Sequence, residues 1–278
     1  MRVAIFCGLA LCGFAANSLL ARRALGAGLA GPASFTAVRL LSGAAVLWAL
    51  SRSRQRAGAE AGWRSALALF LYAVPFSWAY VRMGAGVGAL LLFGAVQTTM
   101  FAAALMHGER PPLRTWAGLG LALCGLAVLT LPGAHAPPAA AAAAMLVAGV
   151  AWGWYSLRGR RARDGLATTA DAFLRAAPFA GALWAISALA APDASRLTVP
   201  GAGLALASGA IASGLGYSLW NTALPHLAAS RAAVLQILTP ALTAGAAVAL
   251  LGEPITARLL AGGAGILGGV ALAAFAKR

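Results

Sequence analysis

The chain has 278 residues, of which 61% carry hydrophobic side chains and 10% are charged, with a mean hydropathy of +0.83; an ordinary soluble domain is roughly 25% charged. That balance excludes a water-soluble globular fold and divides the chain into apolar spans of about 20 residues. The formal charge of +15 is not the footprint of a nucleic-acid partner, because the basic residues are almost all arginines set in short gaps between apolar runs.

In chain order, Met1 and Arg2 followed by Val3 to Ala16 resemble a secretory signal peptide. A later span repeats this one, so the segment is expected to remain as the first helix. Apolar runs bounded by Arg, Pro or Gly clusters fall at 3–20, 33–51, 65–81, 86–106, 114–132, 138–157, 171–191, 202–224, 229–251 and 257–276. Backbone polar groups in hydrocarbon must be paired within their segment, and the period-two alternation of a barrel is absent, so each run is expected to be a helix. The expected fold is all-α and integral to the membrane, with ten transmembrane helices.

Arginine placement orients these spans. With the N-terminus inside, the cytoplasmic face would hold 14 of the 21 basic residues: Arg2, Arg52, Arg54, Arg56, Arg64, Arg110, Arg114, Arg158, Arg160, Arg161, Arg163, Arg231, Lys277 and Arg278. The opposite face would hold Arg22, Arg23, Arg82, Arg196 and Arg258, while Arg39 and Arg175 fall inside spans. Both termini are therefore expected in the cytoplasm of a cell bounded by an inner membrane. Cys7, Cys12 and Cys124 are odd in number, lie in apolar runs and lack metal-ligand spacing, so neither a disulfide framework nor a metal or other cofactor is expected.

The two halves of the chain repeat each other. Arg39 and Trp48 fall on Arg175 and Trp184 at an offset of 136; Leu67 to Leu69 and Tyr80 fall on Leu204 to Leu206 and Tyr217 at 137. Gly108 and Glu109 fall on Gly252 and Glu253 at 144, and the same offset carries Arg114, Gly118 and Gly125 onto Arg258, Gly262 and Gly269. The matches keep their order and include rare Arg, Trp, Tyr and Glu. Each half, 1–134 and 135–278, holds five helices, so the second must enter the membrane upside down relative to the first. Inverted-topology repeats of this kind characterise secondary transporters, whose sites lie near the midplane between the repeats.

With these features the chain resembles the EamA type of the drug/metabolite transporter (DMT) superfamily. The resemblance is carried by Arg39 and Arg175, by Gly108-Glu109-Arg110-Pro111 and Gly252-Glu253-Pro254 ahead of Gly-rich fifth helices, and by the stretches Ala151 to Ser156 and Ser213 to Tyr217. Val96 stands where the second repeat has Pro240 and the family commonly has proline, which sets the fourth helix apart from the ninth. The resemblance implies a permease for export or exchange of small organic solutes such as amino acids, purines or drugs.

Two readings attach to the charged residues. Arg39 and Arg175 either bind an anionic group of a solute or serve structurally, snorkelling or pairing locally, as Asp171 one turn before Arg175 would allow. Glu109 and Glu253 end the fourth and ninth helices, where the macrodipole disfavours them; they either cap the helix that follows or gate the mouth by pairing with arginine. No Asp or Glu occupies the middle of a span, so a facilitator or exchanger fits better than a proton-driven pump.

The polar and aromatic candidates for a cavity lining are Asn17, Ser18, Trp78, Tyr80, Gln97, Thr98, Thr99, Trp152, Tyr155, Ser213, Tyr217, Trp220, Asn221, Gln236 and Thr239. Among them Tyr80, Gln97, Tyr217 and Gln236 are the first choice. The alternative places Trp and Tyr in the interfacial belt and Ser and Thr between helices. The runs Gly118 to Gly125 and Gly262 to Gly269 lack the Gly-Lys-Ser/Thr element of a phosphate loop and are expected to pack helices closely, within the chain or in a homodimer.

The reading from another class is a non-transport membrane protein, an enzyme or a structural or receptor-like protein. An enzyme would need paired carboxylates, a metal set or a nucleophile with its base; His107, His135 and His226 all fall at span ends or in loops. The short loops leave no extramembrane domain for a partner.

Overall fold

A computed structural model describes the backbone at residues 2–52, 62–106, 112–131, 136–227 and 229–274. It contains ten helices: α1 (Arg2–Gly26), α2 (Pro32–Ser51), α3 (Trp63–Tyr80), α4 (Ala85–Met106), α5 (Leu113–Thr130), α6 (Ala139–Gly159), α7 (Gly165–Ala190), α8 (Val199–His226), α9 (Ala229–Leu251) and α10 (Ala257–Ala274). There is no strand among the described residues, only an isolated bridge between Ala30 and Leu197. By length and composition α1, α2, α6, α7, α8 and the described part of α4 can each cross a membrane. The 18 residues of α3 and of α5 extend about 27 Å, slightly less than a hydrocarbon core of about 30 Å.

Several helices run longer than the apolar pattern predicts, among them α1, α7 and α8. Whereas the sequence places the start of the seventh span at 171, α7 begins at Gly165, because the Asp164 carboxylate caps it by accepting from the Leu166 and Ala167 backbone N–H groups at 2.9 and 3.1 Å. At the other extreme α1 continues past residue 20 through Arg22 and Arg23 to Gly26. Arg22 is thereby carried on a helix rather than on a loop.

The outward faces of these helices are apolar. Leu41, Trp48, Leu67, Leu71, Val147, Val150, Phe179, Trp184, Ile186 and Leu189 are all exposed. An open groove of about 420 Å³ between α3 and α6 is lined by Leu71, Leu146, Val147, Val150, Ala151 and Trp154. Apolar surface on this scale suits lipid, not water.

Inside, α2 packs along α7, α5 along α10 and α4 on α9; α6 lies against α3 and α4, and α1 against α8 and α9. The α5 and α10 contact is close because glycines meet backbone. A Cβ on Gly125 would lie 2.7 Å from the Gly262 carbonyl oxygen and the Ile266 nitrogen, and one on Gly269 would strike Gly118 and Ala122. The two glycine-rich runs thus face each other within one chain.

Polar contacts tie the helix ends. At one end Gly31 N–H donates to the Arg196 carbonyl at 2.7 Å, Thr198 N–H to the Leu29 carbonyl at 2.9 Å, and Arg258 to the Leu131 carbonyl. At the other, Gly62 N–H donates to Asp171 at 2.7 Å and Arg158 Nε to Ser65 Oγ at 2.8 Å.

Gly125→Leu should lower stability by about 1–3 kcal/mol through overpacking. Thermal unfolding in detergent checks this, with Gly120→Leu as the control, since a Cβ at Gly120 meets nothing within 4 Å.

Candidate functional site

The eighth helix departs from α geometry at its centre. Residues Ser208–Leu215 form a π-helical stretch between α-helical Val199–Ala207 and Gly216–Ala223. Residues five apart on an α-helix diverge by about 140°; the wider π turn brings them nearly into line. Ser208 and Ser213 accordingly both donate to one atom, Asn17 Oδ1 on α1, at 2.7 and 3.3 Å. Gly209 within the same stretch lies against the Arg39 backbone, leaving no room for a side chain there.

Arg39 on α2 is fully buried. Its Nε donates to Ser213 Oγ at 2.9 Å, and its Nη2 donates to Tyr217 Oη at 2.6 Å and to Tyr72 Oη at 3.1 Å. Nη1 has no hydrogen-bond partner among the described residues. The guanidinium carbon lies 5.0 Å from the Tyr72 ring centre and 4.9 Å from that of Phe76, within cation–π range. Asn17 Nδ2 donates to Tyr72 Oη at 3.1 Å, and the two tyrosine oxygens are themselves 3.1 Å apart. One connected network therefore joins α1, α2, α3 and α8.

An aromatic wall covers this network. Trp152 on α6 lies with its ring centre 4.4 Å from Tyr217 and 5.0 Å from Tyr72, and Phe14 stands edge-on to Trp152 at 5.5 Å and to Trp220 at 5.7 Å. The space enclosed by Phe14, Asn17, Ser18, Tyr72, Leu92, Phe93, Trp152 and Tyr217 is about 10 Å³, room for a single water at most. The centre is closed.

Of the residues that the sequence singles out, Asn17, Ser18, Arg39, Trp152, Ser213, Tyr217 and Trp220 meet here. Tyr155 lies one layer behind, 5.3 Å from Trp152, and accepts at 3.2 Å from the Asn221 amide, which also donates to Thr169 Oγ1 at 2.9 Å. Four others stand elsewhere. Tyr80 is buried near the end of α3, edge-on to Phe76 at 4.7 Å. Gln97 is half-buried on α4, and the Thr98 hydroxyl turns back to the Gly94 carbonyl at 3.0 Å. Gln236 is buried on α9 without a hydrogen-bond partner for its amide among the described residues.

The paired arginines take different roles in the packing. Arg175 is partly exposed, its Nε 2.9 Å from Asp171 one turn earlier, and its guanidinium lies 5.2 Å from the Trp63 ring centre. Glu109 falls outside the described residues. Glu253 reaches a helix start other than the one that follows it. Gly252 adopts φ +67°, which glycine takes without strain, and Glu253 N–H bonds the Ala247 carbonyl at 3.2 Å, a left-handed turn that closes α9. The turn swings the Glu253 carboxylate to the N-terminus of α4, where it accepts from the Ala85 and Gly86 N–H groups at 2.6 and 3.2 Å and lies 3.7 Å from Arg22 Nε. A carboxylate disfavoured at the end of its own helix is favoured at the start of another.

Tyr72, Phe14, Phe93 and Ser208 escape the sequence reading. Tyr72, Phe76 and Tyr80 form an i, i+4, i+8 aromatic stripe on α3, which would have pointed to Tyr72. The π turn that recruits Ser208 has no such signal.

A model of the EamA-like transporter family matches residues 139–275. The chain is 50% identical over 266 residues to an uncharacterized protein of Pseudomonas aeruginosa, covering 95% of this chain and 91% of that protein. It is 30% identical over 206 residues to the probable terminal-alkyne amino-acid exporter of Streptantibioticus cattleyicolor, covering 72% of this chain and 68% of that protein. A solved crystal structure superposes with a TM-score of 0.67 at 21% identity, covering 98% of this chain and 96% of the other, a likeness of fold.

Tyr72→Phe removes the oxygen that accepts from both Asn17 and Arg39. Leaving these buried donors short of a partner should destabilise the protein by about 1–3 kcal/mol. Thermal unfolding in detergent measures the loss, and Thr98→Ala, which severs only a bond within α4, should lose less.

Proposed function

The chain belongs to the EamA-like transporter family, and we propose that it carries a small organic metabolite, an amino acid or a related compound, by alternating access between two inverted five-helix repeats. It is a multi-pass membrane protein of the drug/metabolite transporter type. The observation that carries the proposal is a polar centre walled by aromatic rings and closed toward both ends of the bundle by contacts between the halves. Pockets for organic solutes combine such walls with a few amides and hydroxyls.

The packing supports the repeat. Exchanging each helix of the first five for its counterpart in the second turns α2 on α7, α5 on α10 and α4 on α9 into themselves; it turns α3 on α6 into α8 on α1, and α4 on α6 into α9 on α1. A two-fold frame of this kind rocks about its centre and opens one end as the other closes. Arg22, Glu253 and the start of α4 latch one end, and Asp171 with the Gly62 backbone latches the other.

The amino-acid reading rests on the Streptantibioticus cattleyicolor relative, whose name describes an amino-acid exporter. The arginine distribution supports cytoplasmic termini in an inner membrane, and that relative's name supports export. The described acidic side chains, Asp164, Asp171, Asp193 and Glu253, stand at or within two turns of helix ends or in a connection. An uncoupled facilitator or exchanger accordingly fits better than a proton-driven pump.

Purified protein in proteoliposomes should give saturable counterflow with a panel of amino acids, unchanged by a pH gradient and lost in Trp152→Ala. No flux with any solute, or flux driven by the gradient, would count against the respective parts of the reading. In a Cys12→Ala/Cys124→Ala background, Arg22→Cys with Glu253→Cys joined by a cleavable thiol cross-linker should stop flux, and cleavage should restore it. Undiminished flux through the cross-linked protein would argue against alternating access at that end.

A further inference from the structure

The central network is rich in donors. Arg39 and the Asn17 amide nitrogen only donate, and Tyr72, Tyr217, Ser208 and Ser213 each bring a proton of their own. The Asn17 carbonyl oxygen is the sole acceptor without a proton among these six residues, and it is already engaged by both serines. Arg39 is fully buried, its side-chain hydrogen bonds among the described residues go to neutral hydroxyls, and Nη1 has no partner among them. None of the described carboxylates is hydrogen-bonded to it: Asp171 is held by Arg175 and Gly62, Asp164 caps α7, Glu253 caps α4, and Asp193 lies in the connection between α7 and α8.

A buried cation with no counter-charge is strongly disfavoured, and an anion that reaches it recovers the missing interaction. The two hydroxyls that accept from Nη2 belong to Tyr72 and Tyr217, which line the central void together with Asn17. We propose that this cluster is the carboxylate subsite of the transporter, with the Tyr72 and Tyr217 hydroxyls and the Asn17 amide as the contacting donors and Arg39 as the charge behind them. The proposal rests on the transporter reading and goes further than it in one respect: the substrate requires its carboxylate and not its amine. An ammonium group would meet donors, a guanidinium and no described carboxylate. The solute body lies against Phe14, Phe93 and Trp152, so acids with an apolar or aromatic side chain fit.

Four probes that share one body separate the groups: phenylalanine, 3-phenylpropanoate, phenylalaninamide and phenethylamine. In detergent, the two acids should raise the melting temperature of the wild-type protein, and the amide and the amine should not. Arg39→Gln should weaken both acids by about tenfold or more, whereas Arg39→Lys should retain part of the effect. Should Arg39→Gln fail to fold, Asn17→Asp supplies a resident carboxylate to the network; it should raise the melting temperature without ligand and abolish the response to acids. A response to the amide or the amine equal to that of the acids, no response to either acid, or acid binding unchanged in Asn17→Asp would each overturn the proposal. Flux of neutral solutes without any effect of the acids would leave the transporter reading standing and remove only the subsite. Acid binding without flux of any solute would do the reverse.

Discussion

A guanidinium in an apolar bundle constrains everything around it. Arg39 cannot reach water and cannot lose its proton, so the helices nearest to it must offer oxygen atoms at fixed positions. Tyr72 comes from α3, Tyr217 and Ser213 from α8, and Asn17 from α1 holds Tyr72 and Ser213 in turn. The π turn of α8 follows from the same demand. With α geometry through Ser208 and Ser213, only one of them could have faced Asn17; the extra backbone width brings both hydroxyls to one carbonyl oxygen. A distortion that weakens a helix is retained where it completes the surroundings of a charge.

The closed centre is held by contacts of two strengths. Near the middle, large rings interlock at centre distances of 4.4 to 5.6 Å, and such pairs contribute about 0.5–1.5 kcal/mol each beyond the area they bury. At the ends, the ties are individual hydrogen bonds and ion pairs, several at each end. The Arg22 side chain is 30% exposed and that of Glu253 17%, and ion pairs open to solvent contribute only about 0–1 kcal/mol. Glycine-to-backbone packing keeps α5 and α10 together.

The sequence discloses the frame better than the centre. The ten helices and the glycine seam are written in composition and spacing, because the bilayer penalises any other arrangement of so apolar a chain. The motif Gly252-Glu253-Pro254 is visible as a helix stop, yet its carboxylate is used 168 residues away at Ala85, and no local rule carries that far. Polar residues were equally visible, but not which of them turn inward. Thr98 satisfies its hydroxyl on its own helix while Ser213 reaches across to Arg39, a difference decided by rotation of the helix and, for Ser213, by the π turn.

The two arginines at matching positions make the wider point. Arg39 sits on α2 and Arg175 on α7, and both lie near aromatic rings. Arg175 has a carboxylate one turn away and remains partly exposed beside it. Arg39 has Phe35 at the equivalent distance before it, finds no charge on its own helix and is satisfied by two others, α3 and α8. A symmetric frame with identical chemistry in both halves would place equal groups at either side of the centre and recognise only a symmetric solute. Divergence of this one pair gives the centre a charged side and an aromatic side. On the proposed reading, that difference would let the site distinguish one end of its solute from the other.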